Sequence, residues 1–373
     1  MEEVLREAQN LLSKGEPFVI ATVVGTKGST PQKPGAKLLV REDGTGVGTL
    51  GGGCVEGDIW FAAKMMLKDG GSPTVTDYLL NEDVAAREGL VCGGTMYFMI
   101  DPVFDPKDVK EPITGIVDAY DGSSSVGMAT LLKPAKSKGK VGDKLFIGQD
   151  GKASGSLGDP ARDKEVEAQL RELVDYGRVK SVKTQDGAEV FMEGFTMPAA
   201  VVIAGGGHIG KSLAPLVKML GLRLWVVDDR PEFANMDRFP EADGVIVADY
   251  AEGLQQMDIR PNTSVVVATR GHRQDDLALE AAVRSPAGYV GLVGSKRKTI
   301  LIYEELLKHG IPLERLKAVH APIGLDIGAK TPEEIAVSIV SEIVAFREGR
   351  PGKTLTMESR YLNNAAKKLG VLV

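Results

Sequence analysis

The stretch AAVVIAGGGHIG, residues 199–210, decides the fold class of the C-terminal half of this chain. The apolar, β-branched run over 199–204 predicts a buried strand, and the glycines after it predict a tight turn into a helix over 211–220. The next predicted strand, 222–227, ends in Asp228, which is the acidic residue that a dinucleotide-binding βαβ unit needs at this distance. The pattern therefore predicts a Rossmann-like, doubly wound parallel sheet.

The glycines of this loop are expected to have separate roles. Gly205 makes the turn, Gly207 lets the backbone approach a pyrophosphate, and Gly210 lets the helix pack on the strand. Asp228 would accept hydrogen bonds from ribose hydroxyls, and Arg230 would soften a preference for NAD over NADP. One functional hypothesis is therefore an NAD(P)-dependent oxidoreductase with NAD or NADP as its cofactor.

Further βα units follow, and chemistry-bearing residues come after their strands. Strands are predicted over 244–248, 264–269, 289–293 and 316–319, and the carboxyl ends of parallel strands are where ligands bind. Residues expected to meet there as a ligand site are His208, His272, Ser295, His320, Asp275 and Asp326. The alternative for each histidine is a hydrogen-bonded loop residue, and for Ser295 and the three basic residues after it a solvated helix start. Thr331-Pro332-Glu333 predicts another helix start.

Both cysteines of the chain lie beside glycine runs in its N-terminal half. Cys54 follows Gly51, Gly52 and Gly53 and precedes Glu56, and Cys92 precedes two further glycines. Glycine offers positive φ and close backbone approach, so two thiols presented in this way indicate a site for a sulfur-loving or phosphate-bearing ligand. A helix predicted over 56–67 would lower the pKa of the Cys54 thiol through its N-terminal dipole. The alternative is that both cysteines are small core residues near ordinary turns.

The N-terminal half also repeats itself at an offset of 107 residues. The segment 142–147 resembles 35–40, a helix over 164–174 corresponds to one over 59–67, and a strand over 189–193 corresponds to one over 96–100. GGGCVE at 51–56 is replaced by GDPARD at 158–163, so only the first copy keeps the glycine–cysteine chemistry. This predicts an α+β domain with a degenerate internal repeat, unless the match is a coincidence of common turns.

Composition narrows the class of protein. The chain has 373 residues, a net charge of −6 and two cysteines, and it has no apolar run long enough to span a membrane. An acidic chain is a poor nucleic-acid partner, and the amphipathic start over 1–14 lacks the pattern of a signal peptide. Reduced thiols fit a cytoplasmic protein. The predicted domains are an N-terminal cysteine-loop domain over 1–103, the degenerate repeat that completes it over 104–197, a Rossmann-like domain over 198–347 and a C-terminal tail over 348–373.

The motifs together resemble the XdhC/CoxI family, the accessory proteins of molybdenum hydroxylases. The resemblance runs from about residue 16 to residue 347, although residues 104–196 carry little of it, and the glycine loop GGGHIG departs from the GAGH form of many members. The segments that carry it are residues 28–31, 34–36, 51–56, 91–94, 205–210, 227–231, 291–295 and 320–328.

The resemblance implies binding of the molybdenum cofactor (molybdopterin), its protection while a sulfido ligand is added, and its transfer to a xanthine-dehydrogenase-type or CO-dehydrogenase-type apoenzyme. It implies a cysteine desulfurase as the sulfur donor and a homodimer. Cys54 would act as nucleophile or molybdenum ligand, Cys92 would assist it, and Gly51, Gly52, Gly53 and Glu56 would contact the cofactor. A third hypothesis is a pure interaction scaffold. Two cysteines cannot hold the Cys₄ iron–sulfur clusters of a complete xanthine dehydrogenase.

Overall fold

The computed structural model describes residues 1–79, 94–105, 107, 109–135 and 138–369, except for the side chains of Cys54, His272, Arg273 and Ala365. The chain divides into two compact units, Met1–Pro198 and Ala199–Val373, and each is described by itself. Among the described helices, none combines the length and the apolar character that crossing a bilayer requires.

The first half of unit 1 is a five-stranded antiparallel sheet with a helix on one face. The strand order is β3-β2-β1-β5-β4. Apolar residues of the central strands form a core with Val55, Ile59 and Ala63 of helix α2. The elements are α1 (Glu2–Lys14), β1 (Phe18–Lys27), β2 (Lys37–Arg41), β3 (Gly46–Gly48), α2 (Gly53–Asp69), β4 (Thr74–Leu79) and β5 (Thr95–Val103).

The second half of unit 1 has the same architecture. Its antiparallel sheet has the order β8-β7-β6-β10-β9, which is the order of the first sheet position by position. The internal repeat predicted from the sequence is therefore present in the structure. The elements are α3 (Lys110–Tyr120), β6 (Val126–Lys133), β7 (Lys144–Ile147), β8 (Ala153–Gly155), α4 (Pro160–Val174), β9 (Val179–Lys183) and β10 (Glu189–Phe195).

The helix that follows the cysteine loop begins earlier than predicted. The sequence predicted it over 56–67, whereas α2 begins at Gly53 and ends at Asp69. Glycine is a poor helix former, so the sequence pattern did not indicate that the first turn of the helix includes Gly53. In the structure Gly52 is the N-cap, and its φ of +74° lets the chain enter the helix at Gly53. The backbone of Cys54 consequently lies inside the first turn of α2 and not in the loop before it.

Two ion pairs cross between the halves of unit 1 in a reciprocal manner. Lys37 on β2 places Nζ 2.8 Å from Glu193 Oε1 on β10 and donates to Thr22 Oγ1 at 3.2 Å. The equivalent lysine of the second half, Lys144 on β7, places Nζ 2.6 Å from Asp101 Oδ2 on β5. The Lys37–Glu193 side chains are only 3% exposed, so each of these two charges depends on the other for stabilisation.

Unit 2 is a parallel sheet with helices on both faces, as predicted. The strand order is β13-β12-β11-β14-β15. Alternate residues of β11 face two separate cores, Val201 and Ile203 on one side and Val202 and Ala204 on the other. The elements are β11 (Ala200–Ala204), α5 (His208–Met219), β12 (Arg223–Asp228), β13 (Gly244–Val247), α6 (Tyr250–Gln255), β14 (Thr263–Val267), α7 (His272–Arg284), β15 (Tyr289–Leu292), α8 (Lys296–Lys308), α9 (Leu313–Lys317), α10 (Pro332–Arg347) and α11 (Ser359–Lys368).

One strand prediction in unit 2 was wrong. Residues 316–319 were expected to form a strand, but α9 occupies 313–317, with Pro312 at its N-cap. Leu316 is buried while its neighbours are exposed, a helical pattern too short to recognise in the sequence. Among the described residues, the β pairing in this region is limited to a parallel bridge between His320 and Gly291.

We predict that Lys37→Met lowers the free energy of unfolding of unit 1 by about 3 to 5 kcal/mol, because it leaves the Glu193 carboxylate buried without its partner. Urea unfolding followed by Trp60 fluorescence in a Trp225→Phe background measures this, since these are the two tryptophans of the chain. The double variant Lys37→Met/Glu193→Leu should recover most of the loss. A loss below about 1 kcal/mol in the single variant, as for a surface pair, would contradict the buried-pair interpretation.

Candidate functional site

Three sequence motifs meet around the glycine loop of unit 1. Gly51, Gly52 and Gly53 have consecutive positive φ values of +111°, +74° and +70°, a conformation open only to glycine in such a run. A Cβ on Gly51 would lie 2.8 Å from Pro31, and one on Gly94 would lie 2.4 Å from the carbonyl oxygen of Ser29. The loop before α2, the loop at residues 28–31 and the start of β5 are therefore in close contact.

Glu56 closes this loop from inside the helix. Its Oε2 accepts hydrogen bonds from Thr49 Oγ1 at 2.6 Å, from the Leu50 amide at 2.7 Å and from the Gly52 amide at 3.2 Å. Burial raises the pKa of Glu56, but these hydrogen bonds outweigh it and hold the pKa below its ordinary value. The carboxylate was predicted to contact a cofactor; in the structure it fills the loop and occupies two of its amides.

The second half of unit 1 has the same closure of a loop by a carboxylate, but without a cysteine. Asp163 accepts from Ser156 Oγ and from the Leu157 amide, both at 2.7 Å. These residues are the equivalents of Glu56, Thr49 and Leu50 at the offset of 107. Loop closure by the carboxylate is therefore part of the shared architecture and is separate from any thiol chemistry.

The two helix N-termini differ in how they are capped. Asp159 caps α4 by accepting hydrogen bonds from the amides of Ala161 at 3.0 Å and Arg162 at 3.4 Å. The equivalent of Asp159 is Gly52, and no described side chain caps α2. Within the described part of the chain, the amides of the first turn of α2, where the backbone of Cys54 lies, have no acceptor equivalent to Asp159. An uncapped helix N-terminus favours an anion or a thiolate.

The side chain of Cys54 and the whole of Cys92 fall outside the described residues. Among the residues that are described, no group of three His, Cys, Asp or Glu is arranged to hold a metal ion. The predicted roles of the two thiols therefore stay predictions.

The glycine loop of unit 2 is shaped by close backbone contacts. A Cβ on Gly205, at φ +125°, would lie 2.2 Å from the Ala268 carbonyl oxygen, and one on Gly210 would lie 2.3 Å from the Gly205 carbonyl oxygen. A Cβ on Gly207, the N-cap of α5, would meet nothing within 4 Å. This is the arrangement expected of a loop that packs on its strand and leaves one side open at Gly207, beside the exposed His208.

Asp228 does not have the free acceptor that ribose binding needs. Its carboxylate accepts four hydrogen bonds, from the Gly206 amide at 2.9 Å and from the Arg230 amide, Nε and Nη2 at 3.1, 2.8 and 3.0 Å. Four is about the full capacity of a carboxylate. Arg230 is held further by the Phe233 ring, 3.7 Å from its guanidinium carbon. The role predicted for Asp228 toward a ribose therefore does not fit this arrangement.

Other predicted residues at the same sheet edge are also engaged within the chain. Asp275 is buried, accepts from Thr269 Oγ1 at 2.7 Å and pairs with Lys298. Ser295 caps α8 by accepting from the Lys298 amide. His272 is the first residue of α7, and its side chain lies outside the described residues.

His320 is held by a residue that sequence reasoning missed. Its Nδ1 lies 3.0 Å from Glu342 Oε1 on α10. Glu342 Oε2 also accepts from Tyr289 Oη and the Gly324 amide, both at 2.7 Å. Glu342 is 22 residues from His320 and sits in an ordinary helical pattern, so no local motif marks it. Asp326 is exposed, and no described bond joins it or Asp275 to His208 or His320.

Comparison with known proteins agrees with these motifs. A model described as the XdhC Rossmann domain matches residues 201–343, and a model of the XdhC and CoxI family matches residues 11–78. The chain belongs to the XdhC and CoxI family. The resemblance drawn from the sequence motifs is therefore confirmed, as is the Rossmann-like character of unit 2.

Two curated relatives of this XdhC/CoxI chain cover nearly all of it. It is 27% identical over 340 residues to a Bacillus subtilis protein named as a probable subunit of xanthine dehydrogenase, covering 91% of this chain and 96% of that protein. It is 22% identical over 353 residues to the molybdenum cofactor insertion chaperone PaoD of Escherichia coli, covering 92% and 88%.

A further relative is longer, and one solved structure is similar. The uncharacterized protein YqeB of Escherichia coli is 26% identical over 94% of this chain, which spans only 47% of YqeB. A Bacillus halodurans crystal structure described as a xanthine dehydrogenase has a TM-score of 0.63 and 26% identity, covering 96% of this chain and 99% of the other.

We predict that Glu56→Gln weakens the folded state of unit 1 by about 1 kcal/mol at pH 7, because it replaces charged hydrogen bonds by neutral ones. Folding lowers the pKa of Glu56, so its contribution is present above its ordinary value of 4.5 and is lost as the pH falls below that value. Urea unfolding at pH 7 and below pH 4.5 should show the gap between variant and wild type closing. A gap that is constant with pH would contradict the prediction; Glu16→Gln, at an exposed carboxylate, is the control.

We also predict that titrating the wild type with NAD up to about 1 mM gives no heat of binding in calorimetry. A dissociation constant of about 1 mM corresponds to a binding free energy near −4 kcal/mol, so the prediction is that NAD binds more weakly than this. The reason is that Asp228 is saturated by Arg230 and Gly206. Arg230→Ala removes two of the four donors and should bind NAD more tightly than the wild type. Micromolar binding of NAD by the wild type would contradict this prediction, because it would mean that NAD displaces Arg230 from Asp228.

Proposed function

We propose that this chain binds the molybdenum cofactor at the N-terminus of α2 and delivers it to a xanthine-dehydrogenase-type molybdenum enzyme. The observation that carries the proposal is the contrast between the two repeats, because α4 is capped by Asp159 while α2 has Gly52 in that place, with Cys54 in its first turn. The names of two relatives, a molybdenum cofactor insertion chaperone and a probable xanthine dehydrogenase component, support the same cargo.

The chemistry of the cofactor suits such a helix start. Molybdopterin carries a phosphate, which helix N-terminal amides bind, and a dithiolene that holds the metal. The positive end of α2 stabilises the thiolate form of a first-turn cysteine, and a thiolate is a soft ligand for a transition metal. One short segment thus supplies groups for both ends of the cargo.

The role is that of an accessory protein. The chain has two cysteines, which cannot provide the Cys₄ sets of iron–sulfur clusters. We extend the proposal to protection of the cofactor during sulfuration, with Cys92 assisting Cys54, a cysteine desulfurase as partner, a homodimer and a cytoplasmic location. These parts rest on the family resemblance.

We predict that Cys54→Ala lowers the molybdenum and pterin that co-purify from a molybdenum-replete host by about tenfold or more, the effect of losing one metal–ligand contact worth at least about 1.4 kcal/mol. Metal analysis and pterin fluorescence per mole of protein measure this. Ala161→Cys places a thiol at the equivalent position of the capped helix α4 and should not raise loading.

Two outcomes would contradict the proposal. Equal loading of wild type and Cys54→Ala would remove the thiol from the site. A wild type without pterin, whose interaction with a molybdenum enzyme survives both Cys54→Ala and Gly207→Ala, would favour a scaffold.

A further inference from the structure

The imidazole of His320 is fixed in position by its surroundings. Its backbone bridges β15, with the His320 amide donating to the Val290 carbonyl and the Leu292 amide donating to the His320 carbonyl, both at 2.9 Å. Its ring centroid lies 4.4 Å from that of Tyr289 and 5.6 Å from that of Phe346. With its backbone paired and two rings packed against it, the imidazole has little freedom except which nitrogen carries the hydrogen.

The environment of Glu342 determines which ring nitrogen of His320 carries the hydrogen. Burial raises the pKa of Glu342, but hydrogen bonds from His320, the Gly324 amide and Tyr289 outweigh it and hold the pKa below its ordinary value. Burial and the neighbouring Glu342 carboxylate raise the pKa of Tyr289, so its hydroxyl keeps its proton and acts as the donor. An ionised carboxylate can only accept, so Nδ1 of His320 must carry the hydrogen that lies between them.

The second ring nitrogen is then left as an acceptor. In neutral imidazole, a hydrogen on Nδ1 leaves a lone pair on Nε2. The side chain of His320 is 30% exposed, and within the described part of the chain no group bonds to Nε2. Nε2 of His320 is therefore a fixed, partly exposed hydrogen-bond acceptor beside β15, and such a group can bind a ligand that carries a donor.

We propose that Glu342 is a positioning residue that holds His320 in the Nδ1–H tautomer, so that Nε2 accepts a hydrogen bond or proton from a ligand of unit 2 that bears N–H or O–H donors. This inference rests on the proposed function, because the pterin of the molybdenum cofactor carries ring and amino N–H groups of this kind.

Glu342→Gln is the decisive variant because it keeps the shape of the side chain and reverses the hydrogen bond. The amide oxygen of Gln can still accept from Tyr289 Oη and the Gly324 amide, which leaves the amide NH₂ facing Nδ1. An NH₂ group can only donate, so His320 must switch to the Nε2–H tautomer. The lone pair offered to the ligand then disappears while the fold is kept.

The first measurement is nitrogen NMR of full-length protein with labelled histidine. The chain has four histidines, and His320→Asn assigns the signal of interest. We expect the Nδ1–H tautomer in the wild type and the Nε2–H tautomer in Glu342→Gln. Glu280→Gln is the matched control, since Glu280 bonds to His309 Nδ1 at 2.8 Å and should leave the His320 signal unchanged. The same His320 tautomer in wild type and Glu342→Gln would overturn the positioning role.

The second measurement is pterin retained after dialysis of protein from a molybdenum-replete host. We expect Glu342→Gln and His320→Asn each to lower retention about tenfold, equivalent to about 1.4 kcal/mol, and Glu280→Gln to leave it unchanged. A switched tautomer with unchanged retention would overturn the ligand contact while leaving the proposed function intact. A wild type that retains no pterin would instead be a failure of the proposed function, and the ligand contact would fall with it.

Discussion

The buried ion pair between Lys37 and Glu193 is the constraint on which unit 1 depends. The two charges come from opposite halves of the unit and are almost completely excluded from water. Each would be strongly unfavourable alone, so the halves are stable only when they are docked in the register that joins them. The reciprocal pair of Lys144 and Asp101 repeats the contact, and both pairs line a cavity of about 60 Å³ between the sheets.

The repeat separates architecture from chemistry within one chain. Glu56 and Asp163 close equivalent loops by accepting hydrogen bonds from a hydroxyl and a backbone amide, so this feature belongs to the fold. What differs is the helix start, which Asp159 caps in the second half, whereas no described side chain caps it at Gly52 in the first half. A difference between two copies of the same framework is better evidence for a binding role than the presence of glycines alone.

In unit 2, two acidic residues near the same sheet differ in whether their hydrogen bonds leave a group available to a ligand. Asp228 is the residue that the motif singles out, and its acceptor capacity is consumed by Arg230 and Gly206. Glu342 belongs to no motif, and its hydrogen bond to His320 leaves an imidazole nitrogen available. Asp228, which matches the motif, thus has no acceptor capacity left for a ligand. Glu342, which belongs to no motif, fixes His320 so that Nε2 can accept a hydrogen bond from a ligand.

The sequence by itself determined what depends on short-range interactions. The strand–glycine–helix order around Gly205 and the helix start at Thr331 are local patterns, the 107-residue repeat is the recurrence of such patterns, and the structure contains all three. Only the tertiary structure decided the helix over 313–317, the saturation of Asp228 and the partnership of His320 with Glu342. Short apolar runs have no periodicity to read, and hydrogen-bond partners 22 residues apart meet only when the sheet and its covering helix have packed. Tertiary packing therefore decided which polar groups are used up and which remain for a ligand.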